Sequence, residues 1–378
     1  MGYNLKAPLF MQFAVEQQRD VIARFLQSPA YLSLVDQTPR SNCFNSPQWL
    51  TPWLYQRDMQ PILVTAKAEN ELLGCLVLAL HSLHRWGISF NSLQWLGYPY
   101  TDRVVVPHNN ALPNVVEDMI SYVDQLTNVN WDLLELNELD LNNHEISVQH
   151  AAQLPHISIE PRCLVPVTDL TTYSIPSKFR REIKRRNKQL SAQGNFQYRL
   201  LQPDMAGMQL LITEYANIEQ QSWKGQHGLT VLNNSSLSQA ICQLAHTENV
   251  ICSELRLKEQ VIAYRLGFIF NHRYFDYNIA YLPEFGRFAP GRSTLYYLIE
   301  HGSSLGIQLV DASRVGMESQ HLLFESHSHL QQHSRLRLYN QTTAGQWLKW
   351  WETGKSYWGL IKRFRRYRSA SALNFGSL

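Results

Sequence analysis

The sequence predicts an α/β (α+β) protein of two tandem domains, each a mixed, mostly antiparallel sheet flanked by helices. Two observations predict this class. The chain has 378 residues, which is more than a single hydrophobic core usually serves. In addition, the order hairpin, loop, helix and strand occurs around residues 62–137 and again around 251–311. We interpret this recurrence as two copies of one architecture.

The composition indicates an ordinary folded protein in a reducing compartment. Hydrophobic residues make up 44% of the chain and charged residues 17%, which is not the balance of a disordered sequence. The five cysteines lie singly without C-x-x-C spacing, which argues against a disulfide framework or a zinc site. Residues 1–20 contain no signal-peptide pattern, and the longest apolar run, 72–80, is too short to span a bilayer. We therefore expect a cytoplasmic protein.

The first copy follows a helical lead-in, which we predict for residues 1–40. Ser46 and Pro47 then suit the cap and the first position of a helix. The later elements predicted are strands at 62–67, 72–80 and 93–96, a helix at 114–126 and a strand at 132–136. The stretch 140–166 contains three prolines and is interpreted as the boundary. The predicted domains are 1–160 and 161–345, followed by a basic aromatic tail at 346–378.

A basic linking helix is predicted over 177–193. Ser177 and Gly194 suit its two ends, and Phe179, Ile183 and Leu190 form a narrow apolar stripe. Its cations, opposed only by Glu182, are Lys178, Arg180, Arg181, Lys184, Arg185, Arg186 and Lys188. Two interpretations stay open. The stripe docks a solvated helix on the second domain, or the cations bind an acidic acceptor, a membrane surface or RNA.

The second copy begins with a helix predicted over 210–223 and an antiparallel meander. Its three strands are predicted at 252–257, 260–270 and 273–282. A helix then opens at Pro290 and ends near His301, and a buried strand at 307–310 ends at Asp311.

The turn that opens this helix is suited to a diphosphate. Unpaired N–H groups and the positive end of the helix dipole face an anion at this position. Gly291 allows the backbone to approach a ligand closely, and Arg287 and Arg292 can pair with phosphate oxygens. The dinucleotide pattern G-x-G-x-x-G and the triphosphate pattern G-K-[ST] are both absent from the turn.

These residues resemble a known family. The order meander, P-G turn, helix and strand is similar to the Gcn5-related N-acetyltransferase (GNAT) fold. More narrowly, residues 277–285, the pattern Phe288-x-Pro290-Gly291 and Asp311 resemble the CelD/BioF2-like group. That group is related to the FemAB peptidyltransferases and is often found with polysaccharide or lipid biosynthesis. The resemblance covers about 44–339. It implies a degenerate first domain, because residues 106–110 contain no P-G turn.

The resemblance implies acetyl-CoA or another acyl-CoA as acyl donor, an amine as acceptor, and no metal. The residues expected to bind the pyrophosphate of coenzyme A are Arg287, Pro290, Gly291, Arg292, Ser293 and Thr294. The substrate-binding candidates are Trp223, Tyr264 and Arg265. Trp223 resembles the tryptophan of the loop beside the acceptor cleft, with core packing as the alternative. Arg265 requires an anionic partner if it is buried.

Acyl transfer needs a polarised carbonyl and a base that removes the proton of the amine. In GNAT-like folds the backbone of the fourth strand supplies the polarisation, and residues 273–282 resemble that strand. Period-two alternation predicts that Tyr274, Asp276 and Asn278 share one face. We expect Asp276 to act as the base and Asn278 to orient the substrate, with Asp311 contributing from the next strand.

Histidines cluster after the second copy, at His321, His327, His329 and His333. If Glu325, His329 and His333 share a helix, their spacing places them on one face, as metal ligands require. A polar loop or cap helix is the favoured alternative, and no metal is expected. Residues 314–340 contain no lysine, which departs from the family. The tail either packs on the domain or contacts an anionic membrane.

The sequence therefore predicts an N-acyltransferase that acts on an amine, such as an amino sugar or a glycolipid precursor. Peripheral contact with the inner membrane face is part of this prediction. One alternative is a FemAB-type aminoacyl transfer from charged tRNA, the only version that involves nucleic acid. The other is a non-catalytic scaffold protein of an envelope-polysaccharide cluster.

Overall fold

The computed structural model describes residues 11–85, 87–112, 114–140, 156–315, 317 and 328–354. These residues form one 12-stranded sheet with helices packed against it. The strands are β1 Gln12–Glu16, β2 Gln60–Ala68, β3 Glu71–Arg85, β4 Ile88–Trp95, β5 Leu133–Leu139, β6 Ile157–Asp169, β7 Phe196–Leu201, β8 Val250–Leu257, β9 Gln260–Phe270, β10 Arg273–Tyr281, β11 Leu309–Asp311 and β12 His329–Tyr339. The helices are α1 Arg19–Leu26, α2 Pro29–Gln37, α3 Pro47–Leu54, α4 Val115–Asp124, α5 Ser177–Ser191, α6 Met205–Gln221, α7 Trp223–Gln226, α8 Ser235–His246, α9 Pro290–His301 and α10 at 343–354.

The two halves repeat one topology. The spatial order is β1-β2-β3-β4-β5-β12-β6-β11-β10-β9-β8-β7. Each half contains an antiparallel meander followed by a helix that crosses over to a parallel strand. In the first half, α4 connects β4 to its parallel neighbour β5. In the second half, α9 connects β10 to its parallel neighbour β11. The repeat that the sequence predicts is thus present in the sheet.

The halves exchange a strand at the centre of the sheet. β6 follows β5 in the chain but pairs with β11 of the second half. β12 follows β11 in the chain but pairs with β5 of the first half. β6 and β12 also pair with each other, so a single ladder of hydrogen bonds joins the two halves. Residue 160, where the sequence predicts the boundary, lies inside β6.

One local prediction is wrong. Residues 12–16 belong to β1 rather than to a helical lead-in, because they pair as an edge strand with β2. The proline-bearing stretch is in strand conformation from residue 157 onward. Prolines are tolerated there because β11 pairs only with residues 167–169 of β6, and the ladder to β12 is irregular beside Pro161.

The basic helix α5 docks by its apolar stripe. The Phe179 ring packs edge-on against Tyr296 of α9, with 5.9 Å between ring centroids, and Ile183 joins the same cluster. Six of its seven basic side chains are exposed. None of the helices in the described part of the chain is long and apolar enough to cross a membrane.

Candidate active site

The candidate site is a cleft between the parallel strands β10 and β11. The strands pair at only three positions, ending with Phe275 opposite Asp311. A β-bulge between Asp276 and Asn278 bends β10 immediately afterwards, and the two strands separate. A cavity of about 470 Å³ opens where they part. It is lined by Trp223, Lys224, Arg265, Asp276, Tyr277, Ile279, Tyr281, Gly286, Ala289, Gly291, Arg292, Ala312, Ser313 and Arg314.

The bulge overturns the predicted alternation along β10. Regular period-two alternation would place Asp276 and Asn278 on one face of the strand. The extra residue in the bulge changes the phase of the side chains. Asp276 therefore joins Arg265 on the face that carries α9, and Asn278 joins Tyr264 on the face that carries α6. Tyr264 and Arg265 are adjacent in β9 and thus reach opposite faces, as predicted.

On the α9 face, Arg265 has the anionic partner that its burial requires. Its guanidinium forms an ion pair with Asp276 and donates hydrogen bonds to the Gly291 carbonyl at 3.0 Å and to Thr294 Oγ1 at 3.3 Å. These bonds tie the start of α9 to the sheet. Burial raises the pKa of Asp276, although Arg265 and Arg103 act in the opposite direction. The Asp276 Oδ1 atom is enclosed and has no hydrogen-bond partner among the described residues.

The P-G turn borders the same cleft. Gly291 is buried opposite Ile279, and a Cβ atom added there would lie 2.9 Å from Ile279 Cδ1. Arg292 lines the cavity and pairs with Glu182 of α5 at 3.2 Å. The Ser293 hydroxyl donates to Asn187, and the Thr294 hydroxyl donates to the Gly291 carbonyl. Their side chains therefore face the protein interior, and only their backbones remain near a ligand.

The other two predicted members of the diphosphate set flank the cavity rather than line it. Arg287 is exposed and lies over the Phe288 ring, with its Cζ atom 4.7 Å from the ring centroid. Pro290 is buried and occupies the first turn of α9, as predicted. The residue before it, Ala289, adopts a left-handed conformation with φ of 49°. This conformation turns the chain sharply into the helix.

On the α6 face, a buried polar network surrounds Asn278. Its Nδ2 atom donates to Glu219 Oε1 at 2.9 Å, and its Oδ1 atom accepts from Tyr264 at 3.2 Å. Glu219 is completely buried, and its second oxygen accepts from the backbone N–H groups of Val231 and Leu232. The structure makes it the centre of this network.

Lys224 completes the network and is a functional candidate that the sequence analysis missed. Its Nζ atom donates to Asn278 Oδ1 at 2.6 Å and lies 3.4 Å from Glu219 Oε1. Burial lowers the pKa of Lys224, and the Glu219 carboxylate opposes this effect. Gly225 fixes the adjacent turn, because a Cβ atom there would collide with the Gln220 carbonyl. Trp223 is 47% exposed and lines the cavity, so it is not a core residue.

A second cavity of about 180 Å³ lies between the two halves. It is lined by Pro99, Tyr100, Asp102, Lys224, Val231, Tyr277, Asn278, Ser313 and Arg314. The residues common to both cavities are Lys224, Tyr277, Ser313 and Arg314. The two cavities therefore adjoin at this group of side chains.

Arg103 of the first half enters the fork between β10 and β11. The side chain is 2% exposed and donates to the Asp276 carbonyl at 3.0 Å and to Ser313 Oγ at 3.2 Å. Asp311 lies 3.6 Å from it and accepts a hydrogen bond from Arg273. Burial alone would raise the pKa of Asp311, but Arg103 and Arg273 hold it below its ordinary value. No sequence motif points to Arg103, because tertiary contact alone brings it to the site.

The predicted histidine cluster is only partly within the described residues. His321, Glu325 and His327 lie outside them. His329 and His333 lie in strand β12, so the hypothesis that they share a helix is wrong. The pattern was ambiguous because the spacing of a few polar residues does not distinguish a helix from a paired strand. Within the described residues, no group of three or more His, Cys, Asp or Glu side chains is arranged to hold a metal ion.

The comparison with protein families covers the part of the chain that contains the cleft. Residues 177–319 match a family model described as an acetyltransferase (GNAT) domain. The parting strands, the P-G turn and Lys224 all lie within the matched residues. The GNAT-type resemblance of the second half is thus confirmed, and the narrower CelD/BioF2-like resemblance stays a prediction. No curated protein matches the chain in sequence.

Solved structures extend the comparison to the first half. The FemX structure aligns with a TM-score of 0.60 at 8% identity, over 89% of this chain and 100% of FemX. The C-terminal domain of a protein designated a lysylphosphatidylglycerol synthetase from Agrobacterium fabrum aligns with a TM-score of 0.54 at 9% identity, over 88% of this chain and 95% of that one. The structure of L-PGS from Bacillus licheniformis aligns with a TM-score of 0.50 at 9% identity, over 78% of this chain and 88% of that one. At these identities the likeness shows the fold alone, and the predicted α/β class with a mixed, mostly antiparallel sheet flanked by helices is confirmed.

Proposed function

We propose that this protein transfers an acyl group from acyl-CoA, with acetyl-CoA as the simplest donor, to an amine. The observation that carries the proposal is the cleft at the fork of β10 and β11, which has the P-G turn of α9 on its border. An acyl thioester that enters from the turn reaches the fork, where the backbone of β10 beyond Phe275 no longer pairs with β11. The fork and the turn belong to the GNAT domain, whose family description names acetyl transfer.

In this proposal the turn binds the pyrophosphate of coenzyme A. Pro290 and Gly291 present the start of the α9 helix dipole, and the backbones of Ser293 and Thr294 continue the first turn. Arg292 supplies positive charge from the cavity wall, and Arg287 meets phosphate oxygens from the exposed side. The hydroxyls of Ser293 and Thr294 take no part, because both are already hydrogen-bonded within the protein.

The catalytic roles expected from the sequence remain proposals. Asp276 is the proposed base, since its raised pKa favours proton uptake and its Oδ1 atom has no hydrogen-bond partner in the part of the chain that the structure describes. Asn278 would orient the acceptor from the α6 face. Asp311 would act by holding Arg103 and Arg273 at the fork. Replacing Asp276 with Asn removes the base while keeping a hydrogen-bond acceptor, and we expect it to lower turnover more than acyl-CoA affinity.

The acceptor is proposed to enter through the second cavity, between the halves. An amino sugar or a glycolipid precursor is the proposed class, in line with the CelD/BioF2-like resemblance. One neighbour in fold carries a name that refers to the synthesis of lysylphosphatidylglycerol. A lipid-borne amine near a membrane surface is therefore included in the proposal.

Isothermal titration with acetyl-CoA tests this function. We expect the wild type and Gly291→Ala to bind, since the added methyl group meets only the flexible end of Ile279. Gly291→Glu should lose about two orders of magnitude in affinity. A carboxylate about 5 Å from a phosphate charge costs about 3 kcal/mol at an effective dielectric constant of about 20. Equal affinity in all three proteins would refute the proposed site.

A tRNA-dependent aminoacyl transfer is the second candidate, favoured by the charge of α5. Six exposed cations of this helix have no ion-pair partner among the described residues. They are Lys178, Arg180, Arg181, Lys184, Arg185 and Lys188. This candidate predicts activity that RNase abolishes and no binding of acetyl-CoA. Acetyl-CoA binding together with RNase-resistant activity would decide for the first candidate.

A further inference from the structure

The two cavities meet at four side chains, and the proposed reaction must occur there. If the acyl donor enters through the larger cavity and the acceptor through the smaller one, their reacting atoms can meet only at the shared wall. That wall consists of Lys224, Tyr277, Ser313 and Arg314. The hydrogen bonds and the exposure of each side chain show which of the four can act on the reacting atoms.

The other three are less suited to stabilise a negative charge. The Tyr277 hydroxyl donates its single proton to the Tyr100 carbonyl at 3.0 Å. The Ser313 hydroxyl accepts a hydrogen bond from Arg103 and keeps its own proton, but a neutral hydroxyl is a weaker donor to an oxyanion than an ammonium group. Arg314 is ion-paired with Glu138, and its side chain is 42% exposed. A charge at this level of exposure is weakened by solvent.

Lys224 differs in its burial and in its remaining donor capacity. Its side chain is 14% exposed, so the surrounding dielectric is lower than at Arg314. An ammonium group carries three N–H donors, and contacts with Asn278 and Glu219 occupy two of them. One donor remains for a ligand in the cavities that Lys224 lines. The completely buried Glu219 requires a positive partner, which favours the charged form of Lys224.

We infer that Lys224 is a further catalytic residue, whose ammonium group donates a hydrogen bond to the oxyanion formed during acyl transfer. The inference rests on the proposed function. The amine nitrogen attacks the thioester carbon, and the carbonyl π pair moves to oxygen, where Lys224 stabilises the charge. When the carbonyl re-forms, the C–S bond breaks. The departing thiolate takes up one proton, which balances the proton that the amine loses. The products are an amide and free coenzyme A.

Hydroxylamine is a suitable test acceptor because it is largely unprotonated at neutral pH and needs no base. The assay measures the release of coenzyme A thiol from acetyl-CoA with a chromogenic disulfide. All five cysteines of the protein are buried and contribute little background. Binding of acetyl-CoA is measured separately by isothermal titration. Failure of this binding would remove the proposed function itself, whereas failure of acceleration with intact binding would remove only the role of Lys224.

We expect Lys224→Met to slow hydroxylaminolysis by at least about 100-fold, the usual effect of removing one oxyanion donor. Its affinity for acetyl-CoA should stay close to that of the wild type, since the lost interaction exists only in the transition state. Lys224→Arg should recover part of the rate. The double variant Lys224→Met/Glu219→Gln controls for folding, because it removes the buried charge that Lys224→Met leaves without a partner.

The outcomes separate three roles for this lysine. A double variant that folds but stays slow supports the inference. A double variant that regains the wild-type rate shows that Lys224 only neutralises Glu219, and this result overturns the inference. If Lys224→Met catalyses hydroxylaminolysis normally but acylates methylamine slowly, Lys224 acts as a base, and this result overturns the inference as well. A wild type that binds acetyl-CoA without accelerating hydroxylaminolysis also refutes it.

Discussion

Replacing His333 with Asn should remove a large part of the acid sensitivity of this fold. His333 is 4% exposed in β12, and its Nδ1 atom contacts the Glu138 carbonyl at 2.8 Å. Burial lowers the pKa of His333 from 6.5 to about 4. Arg103 and Arg273 act in the same direction, while Asp140 and Asp311 oppose them. The imidazole is therefore neutral in the folded protein throughout the mildly acidic range.

The sign and size of the effect follow from proton linkage. Below about pH 6.5 the unfolded chain binds a proton at this histidine, and the folded protein does not until about pH 4. Stability must therefore fall as the pH falls through this window. Each unit of pKa difference corresponds to about 1.36 kcal/mol, so the total is about 3 kcal/mol between pH 7 and pH 4. Above pH 7 both states are neutral at this position, and the contribution vanishes.

Urea unfolding of the wild type and His333→Asn at a series of pH values measures this difference. The Asn side chain preserves a donor for the Glu138 carbonyl but does not titrate. It also leaves a space that lowers stability by a similar amount at every pH. The two proteins share all other titrating groups. The pH dependence of the difference between their free energies of unfolding therefore reports on His333 alone. Parallel curves for the two proteins, or an NMR titration of His333 near pH 6.5, would refute the reasoning.

Three further substitutions test other parts of the structure. Arg265→Met should destabilise the fold by about 3–5 kcal/mol because Asp276 would remain buried without its partner, and Arg265→Met/Asp276→Asn should recover much of the loss in chemical denaturation. Ala289→Gly should raise the free energy of unfolding by about 0.5–1 kcal/mol through relief of the left-handed conformation, and a lower value would show that the methyl contacts outweigh the strain. A variant of α5 with glutamine at Arg181, Lys184 and Arg185 should bind anionic phosphatidylglycerol vesicles about 100-fold more weakly than the wild type at low salt. Its affinity for acetyl-CoA should stay unchanged. Equal vesicle binding by the two proteins would show that this face of α5 is not the anion-binding surface.

Much of the second half could be predicted from the sequence because its signals are local. Strand β9 is observed at the predicted residues, and β10 ends within one residue of its prediction. The helix start at Pro290 depends on the fixed φ of proline, which acts without tertiary contacts. The apolar stripe of α5 likewise identified the face that docks on the domain.

The sequence by itself determined the repeat, the order of its elements, and the P-G turn that borders the cleft. Only the tertiary structure decided which side chains meet there. The bulge in β10 separates Asp276 from Asn278, since one extra residue reverses a period of two and no residue pattern announces it. Lys224 and Arg103 reach the fork from distant parts of the chain, and the exchange of β6 and β12 joins the halves. These contacts depend on long-range packing, which local propensity does not encode.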